Sequence, residues 1–292
     1  MAVHDPSVPA SFPQINSVSQ HRRRLIVNAD AFGRSHYINQ AVLRAHQNGI
    51  LTTASLMVNE TALEEAVAIA QDNPRLGVGL HLTLACGRSA LAPGQIPGLV
   101  NLQGSFSNNP VQAGMRYFFN GKLKSQLRSE MAAQFERFHK TGLRLDHVNG
   151  HLNIHLHPVI ADLLMANAGD WGIGHLRLTR DPFWFNTALD SGHWLYKTSH
   201  SFIYLLLSAR VRPALRRQGI RHTCRVFGLL QNARVNEAYI RRLLDKLPEG
   251  DSELYSHPSL DEFRHELDAL TSPAVRQTVE KLGIQLIRYQ DL

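Results

Sequence analysis

Short apolar runs alternate with segments of helical periodicity along most of this chain. Apolar runs of four to eight residues are typical of buried strands, and a spacing of three to four residues between apolar positions predicts helices. The predicted strands are 24–29, 53–59, 77–84, 143–149, 175–179, 223–228, 252–256 and 283–288. The predicted helices are 38–48, 61–72, 122–141, 158–168, 195–218, 236–246 and 273–282. This alternation favours an α/β fold whose parallel sheet is closed into a barrel, or nearly so.

Length and composition fit one barrel domain. The 292 residues are 43% apolar and 19% charged, enough for a large core without a second domain. We assign residues 23–292 to this domain and predict a disordered tail at 1–22, which is rich in Pro, Ser and Asn and lacks the apolar core of a signal peptide. Residues 88–120 look like a long loop insertion. The only cysteines, Cys86 and Cys224, favour a reducing compartment.

An apolar segment runs directly into a basic one at residues 202–217. The sequence FIYLLL is followed by Arg210, Arg212, Arg216 and Arg217. Two interpretations are open: a barrel helix with a solvated arginine face, or an interfacial segment that rests on lipid. No apolar run reaches the roughly 18 residues that a membrane span needs. Apart from the net charge of +7, no feature of the sequence suggests nucleic-acid binding, so we expect no nucleic-acid partner.

Ionisable residues collect at the predicted carboxyl ends of the strands, where α/β barrels carry their chemistry. Asp30 ends the first strand, His81 lies inside the third, and His257 ends the strand near residue 255. The fifth strand, LRLTR, contributes Arg177 and Arg180. These side chains are therefore expected to share one rim.

Histidines suggest a metal at this rim, although a lone histidine in an apolar strand such as His81 is more often a hydrogen-bonded core residue. Four further histidines fall within eleven residues, at 147, 151, 155 and 157. Two imidazoles from separate strands and one carboxylate would make a three-ligand site with room for water. The sequence pattern alone does not say which histidines would bind.

Five motifs, in order over about residues 23–290, resemble the YdjC-like carbohydrate deacetylase family. NADAFG at residues 28–33 is similar to the family hallmark NADDFG, and TTASLMVN, GLHLTL, DHVNGHLNIHLHP and YSHP follow. The stretches QIPGLV and RYFFNGKL are most similar to the hopanoid-biosynthesis branch, HpnK. That branch is associated with removing an acetyl group from an N-acetylglucosaminyl hopanoid lipid.

The resemblance implies a TIM-like, irregular seven-stranded (β/α) barrel and a role for each rim residue. The metal ligands would be His81, His151 and the residue at position 31. Asp30 would be the catalytic base and His257 the acid. Asn149 stands where many relatives carry aspartate, and asparagine is usual in the hopanoid branch. The arginines, Arg177 and Arg180, would orient Asp30 or bind the sugar, or else are plain rim charges.

Ala31 departs from the family pattern because it stands where the family has its metal-binding aspartate. Losing that ligand should weaken binding of Mg²⁺ more than of Zn²⁺, since Mg²⁺ favours oxygen donors. Three accounts of Ala31 are open: an engineered inactivating change, a natural homologue with lost or altered activity, and a working variant with a substitute ligand.

Two functional hypotheses follow from the resemblance. The first is a metal-dependent amide hydrolase that de-N-acetylates an amino sugar or glycolipid, using Mg²⁺ or Zn²⁺. The second is a catalytically impaired glycolipid- or sugar-binding homologue. Either protein would be cytoplasmic, with peripheral contact at the inner membrane face through residues 202–217 in the lipid-resting interpretation; the oligomeric state is not readable from the sequence.

Overall fold

The computed structural model describes residues 23–231 and 233–292, so the predicted tail at 1–22 lies outside the described residues. Seven strands of this part form one sheet in which every ladder is parallel. The strands are β1 (Arg23–Phe32), β2 (Thr53–Leu56), β3 (Gly77–Leu82), β4 (Leu145–Gly150), β5 (Arg225–Phe227), β6 (Gly250–Ser256) and β7 (Gln285–Leu286).

The hydrogen-bonded strand pairs form an open half-barrel, because no ladder among the described residues joins the two edge strands. Six strands follow the order β4-β3-β2-β1-β6-β5, and β7 pairs with β1 off this path. Between the β4 and β5 edges lie isolated parallel bridges, Val148 with Leu176 and His175 with Arg221. The parallel α/β architecture is confirmed, whereas closure into a seven-stranded barrel stays a prediction. The predicted strand at 175–179 is wrong as a strand, because this segment makes single bridges rather than a ladder.

Ten helices in the described part alternate with the strands and cover the sheet. They are α1 (His36–Asn48), α2 (Leu63–Asp72), α3 (Pro110–Phe119), α4 (Leu123–Lys140), α5 (Pro158–Ala166), α6 (Phe183–Leu189), α7 (Trp194–Gln218), α8 (Glu237–Asp245), α9 (Arg264–Thr271) and α10 (Pro273–Lys281). The expectation of a loop throughout 88–120 is wrong, because α3 occupies its last third. The Asn109 side chain caps α3 and Pro110 begins it, a usual helix start.

The strands at the centre of the sheet are buried on both faces, as parallel strands covered by helices should be. In β1 every residue from Leu25 to Phe32 is buried, the polar ones included. These polar positions therefore need internal partners, since a buried polar group without a hydrogen bond is costly. Those partners define the candidate site.

Candidate active site

Asp30 lies near the carboxyl end of β1, and its carboxylate is held by four hydrogen bonds. Arg177 Nη1 and Nη2 donate to its two oxygens at 2.8 and 3.0 Å. The amide groups of Asn28 and Asn149 donate to Oδ1 at 2.8 and 3.0 Å. With 3% of its surface exposed, Asp30 is fixed in position by these groups.

The charge of Asp30 is strongly stabilised. Burial by itself raises the pKa of this carboxyl, but the Arg177 guanidinium, with smaller contributions from His81 and His257, more than offsets burial and holds the pKa far below its usual range. Asp30 is thus an anion at every physiological pH. A carboxylate with so low a pKa is a weak proton acceptor, because catalytic proton transfer is favoured when the pKa lies near the working pH.

Arg177 is completely buried between two carboxylates and is not a rim charge. Besides Asp30 it binds Glu253 in β6, with Nη2 and Nε donating to Oε1 at 2.6 and 2.9 Å. The hydroxyl of Tyr289 donates to the other oxygen of Glu253. Arg180, by contrast, has an exposed side chain. The two arginines that the sequence paired therefore occupy different environments.

His81 in β3 is neutral and its tautomer follows from its partner. The Asn149 amide nitrogen donates to Asp30 and to Ser55, so its oxygen faces His81 Nδ1 at 2.7 Å. An amide oxygen only accepts, so Nδ1 carries the proton and Nε2 presents a lone pair. Burial lowers the pKa of His81 to about 4. Asn149 thus orients this imidazole.

His151 directly follows β4 and faces His81. Their ring centroids are 5.5 Å apart in an edge-to-face arrangement. Burial and the neighbouring cations lower the pKa of His151 to about 3, so this imidazole is also neutral. The structure therefore brings together the two histidines that the resemblance assigns to the metal.

The other three histidines of the motif contact the scaffold. His147 bridges Asp146 and Ser55, at 3.0 Å each. His155 Nε2 lies 3.0 Å from the carbonyl of Arg177, and His157 Nε2 lies 3.0 Å from the carbonyl of Gly114. These hydrogen bonds hold the three histidines against neighbouring side chains and backbone carbonyls.

Ala31 occupies a backbone position that suits a different residue. The pairing of β1 with β2 shifts register between Ala29 and Phe32, which marks a bulge. Within it Ala31 has a φ of 64°, in the left-handed region that alanine rarely adopts. Asn and Asp tolerate this region better, because their short polar side chains bond locally. The bulge thus keeps a backbone conformation that suits aspartate although the side chain is a methyl.

Strain of the same kind follows His151. Leu152 and Asn153 have φ values of 55° and 57°. Asn153 is held from both sides, because its Oδ1 accepts from Thr179 at 3.1 Å and its Nδ2 donates to Tyr204 at 3.2 Å. Unfavourable backbone conformations persist only where the surroundings fix them, and they are frequent at functional sites.

These residues do not fit a metal held by three protein side chains. Within residues 23–231 and 233–292, no group of three or more His, Cys, Asp or Glu side chains is arranged to hold a metal ion. Two imidazoles face each other, Ala31 offers no donor atom, and Asp30 is engaged by Arg177. The donor set is one ligand short of the three-ligand site that the resemblance implies.

His257 directly follows β6, whose last residue, Ser256, pairs with Ala29 beside Asp30. Its Nε2 lies 2.9 Å from the hydroxyl of Tyr255. Its Nδ1 is buried and has no hydrogen-bond partner among the described residues. Burial lowers the pKa of His257, so its resting form is neutral.

Sequence reasoning missed Glu253 and Tyr255 at this site. Glu253 neutralises the second half of the Arg177 guanidinium, and the Tyr255 ring lies 5.1 Å from that guanidinium. The two residues flank Leu254 in SELYS, so a charged residue inside a predicted strand was the available signal. This signal does not show that the partner of Glu253 is Arg177.

The model of the family described as YdjC-like protein matches residues 24–281. The chain is 35% identical to a carbohydrate deacetylase of Brevibacillus brevis over 164 residues, 56% of this chain and 61% of that protein. It is 40% identical to a carbohydrate deacetylase of Geobacillus stearothermophilus over 136 residues, 47% of this chain and 52% of that protein. These alignments span little more than half the length of the two relatives.

A longer alignment and one solved structure complete the comparison. A carbohydrate deacetylase of Clostridium beijerinckii is 28% identical over 281 residues, 92% of this chain and 100% of that protein. A crystal structure from Enterococcus faecalis V583, whose name refers to cellobiose-phosphate cleavage, has a TM-score of 0.69 at 24% identity. It covers 92% of this chain and 98% of that one, and at this identity it is similar in fold alone.

Proposed function

Since the chain belongs to the YdjC-like protein family, we propose that it is a hydrolase that removes the acetyl group from an N-acetylated amino sugar. The observation that carries the proposal is the convergence of Asp30, His81, His151 and His257 at one end of the sheet, within a chain that matches carbohydrate deacetylases. In its most specific form the substrate is an N-acetylglucosaminyl hopanoid lipid, and residues 202–217 contact the membrane that holds it.

The proposed reaction hydrolyses an acetamide. Water attacks the carbonyl carbon, the bond between carbon and nitrogen breaks, and the products are acetate and the free amine. Asp30 takes the proton of the attacking water, and His257 gives a proton to the departing nitrogen. Arg177 orients Asp30, and the exposed Arg180 is assigned to the sugar.

A divalent metal, Mg²⁺ or Zn²⁺, remains part of the prediction for the family reaction. The two imidazoles present here fall one protein ligand short. The proton transfers are unfavourable as well, because the pKa of Asp30 is far below its usual range and the lowered pKa of His257 reduces the fraction of the imidazolium form that would act as the acid. These features support slow catalysis by the present chain.

They also favour a second candidate function, a catalytically impaired homologue that binds the sugar or glycolipid. Binding needs a preformed pocket and hydrogen-bonding groups, and it does not need the third metal ligand. The two candidate functions differ in whether they require a metal ligand at position 31, where this chain has Ala31.

Acetate release tests both candidates. The wild-type chain and the Ala31→Asp variant are incubated with an N-acetylglucosaminyl hopanoid and with added Mg²⁺ or Zn²⁺. Ala31→Asn is the matched control, because it has the same shape and the same tolerance of a positive φ but no charge. We expect a large gain for Ala31→Asp alone. Release by none of the three would overturn the hydrolase proposal, and retained binding of the hopanoid would then establish the second candidate.

A further inference from the structure

Helix α7 is longer than the barrel helix beside it. The Arg210 guanidinium binds both carboxylate oxygens of Asp162 at 2.9 Å, and Gln218 Nε2 donates to the carbonyl of Met165 at 2.9 Å. Residues 210–218 therefore run alongside α5, which begins at Pro158. Residues 194–209, about 24 Å of helix, extend beyond the start of α5. We call residues 194–209 the α7 overhang.

The overhang is fastened on one side and exposed on the other. Ser208 Oγ donates to the carbonyl of Thr179 at 2.6 Å, and the buried Lys197 donates to the carbonyl of Asp190 at 2.7 Å. The exposed side carries large apolar side chains, interrupted by the polar Thr198 and Ser199. Its exposed large side chains are Trp194, Leu195, Phe202, Ile203, Leu205 and Leu206.

These apolar side chains form a line along the outward face. Leu195, Phe202 and Leu206 are seven and four residues apart, which places them above one another on a helix. They are 86%, 61% and 54% exposed. Trp184 in the neighbouring α6 is 78% exposed and adds a further indole. So much contiguous apolar surface usually marks an interaction site.

Three arginines continue the same helix where the apolar line ends. Arg212, Arg216 and Arg217 are exposed, and no carboxylate of residues 23–231 or 233–292 forms an ion pair with any of them. Arg217 follows Leu206 by eleven residues, about three turns, and so lies on the outward line. The apolar surface thus has a belt of uncompensated positive charge at one end.

We propose that the α7 overhang docks onto an anionic lipid bilayer. Leucine, phenylalanine and tryptophan side chains enter the boundary between headgroups and acyl chains, and the arginine belt meets the lipid phosphates. Segments that bind at the interface of anionic membranes likewise combine apolar side chains, which enter the bilayer, with basic side chains, which meet the lipid phosphates. Among the helices of residues 23–231 and 233–292, none has the length and apolar content of a membrane span.

A second copy of this chain fits the surface less well. A symmetric contact uses the same patch on both subunits, so it would bury the arginine belt along with the apolar line. Buried charge without a partner is costly, and none of these three arginines forms an ion pair within the described part of the chain. Anionic lipid supplies the missing negative charge.

Docking would bring the candidate site to the lipid surface. Tyr204 of the overhang accepts a hydrogen bond from Asn153, two residues after His151. A sugar headgroup held in the membrane would then reach the site without its lipid leaving the bilayer. This use of the surface rests on the proposed function, whereas docking itself stands on exposure and charge.

Sedimentation of the full chain with vesicles tests the docking. The vesicles contain phosphatidylcholine alone or with 30% phosphatidylglycerol, and no sugar lipid or metal, so binding is read without catalysis. We expect binding to the anionic vesicles only. Arg212→Gln, Arg216→Gln and Arg217→Gln combined should weaken it about a hundredfold, since each arginine near an anionic surface contributes about fivefold. The matched control neutralises three other exposed arginines, Arg44, Arg75 and Arg242.

The apolar line is tested by combining Phe202→Ser with Leu206→Ser, against Leu102→Ser at an exposed loop leucine. Quenching by brominated lipid gives a direct reading, because Trp184 and Trp194 are exposed whereas Trp171 is buried. Loss of binding in the overhang variants and quenching of the wild type would support docking. Absent binding to anionic vesicles, or equal loss in the controls, would overturn it. So would a wild-type dimer that Phe202→Ser dissociates.

Discussion

Replacing Arg177 by methionine should destabilise the folded protein strongly. The guanidinium lies between Asp30 and Glu253, and all three side chains are buried. Methionine fills much of the volume but carries no charge. The variant therefore leaves two buried carboxylates with no cation between them.

The magnitude follows from the number of pairs broken. Removing one partner of a buried ion pair costs about 3–5 kcal/mol, because the remaining charge is left uncompensated. Arg177 serves two carboxylates, so we expect at least about 4 kcal/mol at pH 7. For a chain of this size this corresponds to a fall in Tm of roughly 7 °C.

The cost should depend on pH. In the wild type the pKa of Asp30 is lowered, so its contribution to stability is present above the unfolded value of 3.8 and does not change between pH 5 and 7. Without Arg177, burial raises the pKa of the Asp30 carboxyl, and the folded state binds a proton that the unfolded state releases. The stability of the variant therefore falls as pH rises, and its deficit is smaller at pH 5 than at pH 7.

Urea unfolding at pH 5 and pH 7, followed by circular dichroism, measures both effects. Arg210→Met is the matched control, since its pair with Asp162 is exposed and should contribute at most about 0.5 kcal/mol. Adding Asp30→Asn and Glu253→Gln to Arg177→Met should recover most of the loss. A cost below about 1 kcal/mol at pH 7, or one that does not shrink at pH 5, refutes the reasoning.

Three further predictions concern the metal, the packing and the acid response. Zn²⁺ should stabilise the Ala31→Asp variant by about 2.7 kcal/mol when the free metal is at a hundredfold excess over its Kd, and this should be measurable as a rise in Tm. An equal rise in the wild type would contradict the missing-ligand account. Gly79→Ala should cost about 1–3 kcal/mol, since its Cβ would lie 2.5 Å from the His147 ring, whereas Gly94→Ala meets nothing and should be neutral. Acidification from pH 6.5 to 4.5 should lower the free energy of unfolding in urea, because the unfolded chain takes up protons that buried imidazoles refuse, and a flat profile would argue against it. The histidines should dominate, because burial lowers the pKa of six wholly or partly buried histidines but raises the pKa of three carboxyls. The histidines are His81, His151, His155, His157, His175 and His257, and the carboxyls are Glu130, Asp181 and Glu266.

Elements with a strong local signal were predictable from the sequence. The strand expected at 24–29 is the core of β1, because burial on both faces requires a continuous apolar run. The helix expected at 195–218 is α7 to within one residue. Local composition was sufficient in both cases.

Elements that depend on their neighbours were not predictable. Residues 175–179 have the composition of a strand but make only isolated bridges, because pairing depends on the position of both sheet edges. Helix α3 begins in a segment rich in turn residues, and its start rests on one side-chain cap from Asn109. The helical periodicity extends over ten residues in α3, which is too few to predict a helix in a segment rich in turn-forming residues.

At the site, the chemical types were predictable but their states were not. Asp30, His81, His151 and His257 are indeed close to one another, and their roles stay predictions. The sequence could not show that Arg177 is buried against Asp30, 147 residues away. Nor could it show that Ala31 has a positive φ, since that conformation is imposed by the bulge.

The chain of contacts from Tyr289 through Glu253 and Arg177 to Asp30 has a consequence for biosynthesis. Asp30 leaves the ribosome early, and its cation follows 147 residues later. Glu253 and the hydroxyl of Tyr289 emerge later still. A nascent chain therefore carries Asp30 without its cation until Arg177 has emerged, and the buried network can be completed only after Tyr289 has emerged.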